Sequence, residues 1–354
     1  MNFFNQLEWS HWKQLTLEDK QLLFRQILMY YVSPLVKVSD VNLVDYELAG
    51  IKCTTFECKL DNEEFVFIPG NKEAILGWDL GIQGLPIQEV VYEQELAEES
   101  EIFLQFKEIY GFEILDDFND YVNDFTTPLR KVAVAPMLVQ KYALPVGTSF
   151  VGSYHTVTAN FEGNEIAAAP FLSEIKHQLS PKLSLEESLT WEFPRSLKKD
   201  NAYYLEMSSN EDTYSVYKHS ADTHQELLKE IHAKGFDWLT EDQWEYAVGG
   251  GTRRIFRWGN ELLSDQSPWA KSVREKKEGP NMFGLIIDTS KTRFELTRDP
   301  SVLKLDIIED SGCPIIDCLP LSSYYQSGIM IQGESPLAPE EFLYRKTISI
   351  EMTQ

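Results

Sequence analysis

The residues of this chain with the most distinctive chemistry are its four cysteines, which form two pairs of equal spacing, Cys53 with Cys58 and Cys313 with Cys318. Thiolates are soft metal ligands, so what matters is whether either pair can converge. Residues five apart in a straight strand point to opposite faces and lie roughly 16 Å apart, so chelation requires a bend. Gly312 and Pro314 can supply one around Cys313. Nothing similar flanks Cys53 and Cys58, which read as buried or half-buried thiols of a strand. The six histidines (His11, His155, His177, His219, His224 and His232) include no cluster with the spacing of a catalytic zinc site. No nucleophile elbow and no phosphate-cradling loop is present, because Gly249-Gly250-Gly251 follows a predicted helix where a cradle would open one.

Composition narrows the classes further. A chain of 354 residues, 43% hydrophobic and 12% aromatic, can bury a substantial core. Its formal charge of −24 disfavours nucleic acid and anionic membrane as partners, since phosphate backbones are held by basic fields. Basic peptides and metal cations are electrostatically permitted, and solubility is the simpler use of such a charge. No run of eighteen apolar residues is present, and the opening segment lacks the pattern of a secretory signal, so a cytoplasmic location is expected. Four cysteines in a chain of this length fit that expectation.

The elements that would position a site centre on Gly235 to Asn260. Gly235 follows a helical-period run (Leu227, Leu228, Ile231) and suits a left-handed C-cap. Thr240 with Gln243 has the spacing of a capping box, which predicts a short helix from Glu241 to about Val248, stopped by Gly249 to Gly251. Upstream, Thr16 with Asp19 predicts a helix start, and Leu22, Leu23, Ile27, Met29 and Tyr30 give an apolar face that ends at Ser33-Pro34. From Val41 to Trp78 alternating runs broken by Ala49-Gly50 and Asp61-Asn62 predict strands and hairpins. Between Glu89 and Asp124 stand twelve acidic residues against one basic residue, Lys107, with Ile102, Phe103, Phe106, Ile109 and Tyr110 at helical spacing. This reads as an amphipathic insertion at about 80–128 with a solvated acidic side, a cation or basic-partner site being the sharper reading. Val151 to Asn210 holds short alternating strands (Tyr154 to Phe161, Leu189 to Phe193, Tyr203 to Met207) and no usable motif. Phe342 to Ile350 reads as a closing strand. Two regions result, a helical segment and first strand at 1–50 and a main domain at 51–354.

Three ordered strings, LTEDQWEYAVGGG around Trp244, Glu245 and Tyr246, RWGN with Trp258, Gly259 and Asn260, and NMFGL with Asn281, Phe283, Gly284 and Leu285, resemble the signature of the formylglycine-generating enzyme (sulfatase-modifying factor) family. FVFIPG at Phe65 to Gly70 and the run Arg130 to Tyr142 resemble two further landmarks, so the resemblance spans roughly residues 56–350. It implies an α+β fold of the C-type-lectin-like kind, rich in loops, and a structural calcium site. It also implies that Cys313 and Cys318 would hold copper(I) and oxidise a substrate cysteine with molecular oxygen.

The flanks depart from the active pattern. Ser290-Lys291 replaces the family's Gly-Asn, which removes a permissive backbone position and an amide able to pin a loop. Leu303-Lys304-Leu305-Asp306 replaces a Gly-Gly-Ser segment. The resulting expectation is a degenerate member: a non-catalytic cytoplasmic binding or structural protein with a protein or peptide partner. The alternative is a copper-dependent oxidase converting a protein or peptide cysteine to formylglycine through Cys313 and Cys318. Trp244, Tyr246 and Trp258 are expected in the core.

Overall fold

The computed structural model describes residues 2–86, 100–181, 184, 190–208, 212–262, 270–331 and 335–351. The described chain is mixed α+β with several antiparallel sheets. It forms two compact units, the first built from Met1–Ala143, Leu228–Gln332 and Leu343–Gln354, the second from Leu144–Leu227 and Gly333–Phe342.

The first unit is organised on a six-stranded sheet whose order is Val38–Leu48, Ile51–Leu60, Glu63–Ile68, Met137–Gln140, Lys346–Ser349 and Asp237–Trp238. Each neighbouring pair is antiparallel. The two hairpin turns are those expected from the sequence. Ala49-Gly50 and Asp61-Asn62 both take left-handed backbone at both residues, the geometry that matches strand twist in two-residue loops.

The helix Leu17–Tyr30 starts where Thr16 Oγ1 accepts the Asp19 amide, and it docks Leu23, Phe24 and Ile27 inward. Phe24 stacks on Phe56 at 4.4 Å between ring centroids, and Trp12 packs on Phe67 at 4.6 Å. These contacts cover one face of the strand Ile51–Leu60, and its other face joins the principal core. Cys58 shares the parity of Phe56, whereas Cys53 shares that of Thr55 and joins the principal core with Val66 and Ile68. These two thiols are buried on opposite faces, as a strand requires.

In the acidic stretch, the helices Glu101–Tyr110 and Leu115–Asp124 pack through Phe103, Phe106, Phe112, Phe118 and Tyr121. Ser100 Oγ caps the first, and Asp117 Oδ2 accepts the amides of Glu113 and Ile114 at the start of the second. Residues 87–99 of the predicted insertion lie outside the described residues.

The second unit is a five-stranded antiparallel sheet in the order Ser196–Lys199, Tyr203–Met207, Thr213–His219, Thr148–His155 and Asn160–Gly163. The helix Glu165–Leu179 lays Ala168, Phe171, Ile175 and Leu179 on Val151, Phe161, Leu205 and Val216. This helix is not anticipated from the alternating texture of the stretch. Its signals were present, an Asn164 cap that accepts the Ala167 amide and apolar residues at helical spacing, but Pro170 inside the run argues against a helix. Of the strands predicted here, Tyr203–Met207 forms as expected; Tyr154 to Phe161 instead spans the turn between the strands Thr148–His155 and Asn160–Gly163, and residues 190–193 form no strand, residue 189 lying outside the described residues.

Candidate functional site

The helix Glu241–Gly249 forms for the expected reasons. Thr240 Oγ1 accepts the Gln243 amide, the Gln243 side chain accepts the Thr240 amide, and Gly250 closes the other end at φ 61°. Trp244, Glu245 and Tyr246 are all buried, as is the rest of the helix to Gly249. Tyr246 donates from its hydroxyl to Pro69 O at 3.0 Å. Glu245, fully shielded from solvent, accepts from Thr127 Oγ1 at 2.8 Å and from Lys304 Nζ at 3.0 Å. Arg130 Nη2 lies 3.1 Å from the second Glu245 oxygen, an ionic contact whose angle does not make an aligned hydrogen bond. Lys304 is equally buried and also donates to Glu241 Oε1 at 2.8 Å and to Tyr325 O at 3.1 Å. The result is a closed salt-bridged frame under the helix.

Asn281 is a second structural pin. Its Nδ2 donates to Ala247 O at 2.7 Å and to Val248 O at 3.1 Å, which satisfies carbonyls at the helix end, while Oδ1 accepts the amides of Phe283 and Leu285. Gly284 turns the chain at φ 95°, and a Cβ there would stand 2.4 Å from Tyr46 Cε2. A third pin is Arg345, which holds both oxygens of buried Glu295 and three backbone carbonyls, of Gln140, Lys141 and Ile286.

The RWGN stretch lies beside the helix Ala270–Glu278. Trp258 is buried, donates to Glu261 O, and stacks on Phe256 at 4.8 Å. Gly259 has open space where a Cβ would stand, and half-buried Asn260 donates to Gly84 O at 2.8 Å. Arg257 and Lys277 both approach the Trp258 ring, at 5.1 and 5.0 Å from its centroid. Lys277 Nζ reaches Cys318 Sγ at 3.7 Å, so the sequence motif and the second cysteine meet at this lysine.

Cys313 stands at the start of the short helix Pro314–Cys318, its amide donating to Ser311 Oγ. Both thiols are buried, Cys313 at 4% and Cys318 at 7% exposure. Burial pushes the Cys313 thiol up to about 12 and raises Cys318 as well, the latter against the pull of Lys277. Among the described residues no group of three or more His, Cys, Asp or Glu side chains is placed to hold a metal ion.

An open groove of about 700 Å³ lies in the first unit between residues 79–85 and the helix Leu115–Asp124. Asp79, Asp116 and Gln83 line it together with Leu80, Ile82, Leu85 and Leu115. Its wall is preformed: Asn123 Oδ1 accepts the Gly81 amide and Asn119 Oδ1 accepts the Ile82 amide, each at 2.9 Å. Sequence reasoning reached the acidic character of this region but not the loop 79–85. Nor did it reach Arg130, Lys304 or Arg345 as partners of the buried carboxylates Glu245 and Glu295. The one signal for Lys304 was its place between two leucines.

Residues 149–218, which form most of the second unit's sheet and its helix, match a family described as a profilin-like domain of unknown function (DUF7278). No curated protein matches the chain. The expected membership of the formylglycine-generating enzyme family is overturned by this finding, which carries no trace of that family. The physical reason is visible in the three strings that suggested it. A capping box over a buried glutamate, a turn that caps the helix with an asparagine, and an aromatic stack are packing devices, and each has a structural duty here that requires no shared ancestry. The lectin-like fold and calcium site implied by that resemblance lose their support with it, and α+β is what remains.

Proposed function

We propose that the chain is a non-catalytic cytoplasmic binding or structural protein whose groove between residues 79–85 and Leu115–Asp124 holds a protein or peptide segment carrying basic side chains. The observation that carries this reading is the groove itself, with apolar floor residues, two exposed carboxylates, and asparagine side chains that hold its wall in place. An apolar cleft with a few fixed polar groups suits a peptide, and a chain of net charge −24 favours a cationic one. Against the copper-oxidase alternative stand two shielded and protonated thiols, because an oxidase needs accessible thiolates.

The test is fluorescence anisotropy of the full chain with labelled amphipathic Lys/Leu peptides at two salt concentrations. Salt-sensitive binding that weakens at least about tenfold in Asp116→Lys and Asp79→Lys is expected, since an inverted rim charge repels the ligand. Peptide affinity indifferent to both substitutions removes the groove as the site.

A further inference from the structure

Arg257 is 2% exposed, and burial holds its guanidinium down to about 9, which leaves it charged at neutral pH. Nη2 donates to Lys277 O, but among the described residues Nε and Nη1 meet no acceptor. Three of the five N–H bonds of a guanidinium are thereby unspent. Among the described residues Arg345 opposes the charge and Glu295 favours it, and Glu295 is already held by both the Nε and the Nη2 of Arg345. Lys277 brings a second cation to the same tryptophan ring. An uncompensated buried charge is among the costliest features a fold can carry. Structural arginines in this chain show the contrast: Arg345 spends its donors on a carboxylate and three carbonyls.

We propose that Arg257 and Lys277 form a binding site for a small oxyanion, a carboxylate or a phosphate, which accepts the vacant Nε and Nη1 donors beside Trp258. Arg257 supplies the directional donors, and half-buried Lys277 supplies charge on the side nearer solvent. Trp258, stacked on Phe256, forms a rigid wall. The chain's overall negative charge disfavours polyanions here. Arg257, Trp258 and Lys277 are not among the residues that line the acidic groove.

The experiment uses the full chain dialysed into an amine buffer containing only chloride. Thermal unfolding and isothermal titration calorimetry are run with inorganic phosphate, sulfate and acetate, each against sodium chloride at equal ionic strength, so that screening is held constant. Saturable stabilisation by phosphate or acetate beyond that of chloride is expected, and which of the two acts decides between the ligand sources. Lys277→Gln, on a half-buried side chain, should weaken the affinity at least fivefold, and Arg257→Gln should abolish the response. If Arg257→Gln does not fold, Arg257→Lys serves, which keeps the charge and loses the directional donors. Wild-type protein that responds to no oxyanion beyond chloride, or a response equal in Lys277→Gln and wild type, overturns the site.

Discussion

Lys304→Met isolates the frame beneath the helix Glu241–Gly249. Methionine keeps most of the stem volume and removes the ammonium, which donates to Glu241, to fully buried Glu245 and to Tyr325 O, and lies 5.6 Å from the Trp244 ring centroid. Stranding one partner of a buried ion pair costs about 3–5 kcal/mol. Glu245 keeps Thr127 and the contact with Arg130, which places the loss near the lower bound, about 3 kcal/mol. At about 2–4 °C per kcal/mol for a domain of this size, the melting point should fall by about 6–12 °C. The assay is urea denaturation followed by tryptophan fluorescence, in which Trp244 reports directly on the frame. The second half of the cycle adds Glu245→Gln, which removes the stranded charge and retains an acceptor for Thr127. The double variant should recover at least about 1.5 kcal/mol relative to the sum of the single changes. A loss below about 1 kcal/mol for Lys304→Met, or strict additivity, would refute the reasoning that the buried charge of Glu245 dominates.

Three further outcomes follow from the same structure. Burial lowers the His219 pKa, so the unfolded chain binds more protons in acid; stability should fall as pH drops through about 6.5, and His219→Gln should flatten that slope in a pH series of denaturation midpoints. Asp317 is pushed the other way, up to about 6 by burial and by its hydrogen bond with Asp310, so its contribution is intact in acid and is lost as pH rises from about 4 through about 6. Asp317→Asn, which keeps the acceptor for Ser311, should therefore stabilise the protein at pH 7 by about 1–2 kcal/mol and leave pH 4 unchanged; destabilisation at pH 7 would count against it. The four thiols should react with a disulfide reagent only after denaturation, because all are buried, and rapid native labelling of Cys313 or Cys318 would revive a thiol-based role.

What the sequence made legible was local. Thr240 with Gln243, Thr16 with Asp19, and the paired left-handed hairpin turns each state their geometry within four residues, and each appears as expected. What stayed hidden depends on distant partners. Beyond its place between two leucines, nothing near Lys304 in the chain distinguishes a lysine buried on Glu245, 59 residues away, from one on the surface. Arg257 is similar: its meaning lies in which acceptors are missing around it, a property of the packed state. The helix Glu165–Leu179 was obscured by one proline whose cost packing against the sheet offsets. The signature strings misled because packing devices recur wherever a buried helix must be capped and pinned.

The strand Lys346–Ser349 lies inside its sheet, between Met137–Gln140 and Asp237–Trp238. Thr347 and its partner Leu138 are 209 residues apart. At about 5–20 residues per second, a ribosome needs about ten to forty seconds between making the two. Throughout that interval Met137–Gln140 presents an unpaired apolar edge, while the intervening second unit, its sheet drawn from a continuous stretch of chain, can already form. Newly made chains of this protein should thus depend on chaperone shielding of the first unit until the last strand emerges.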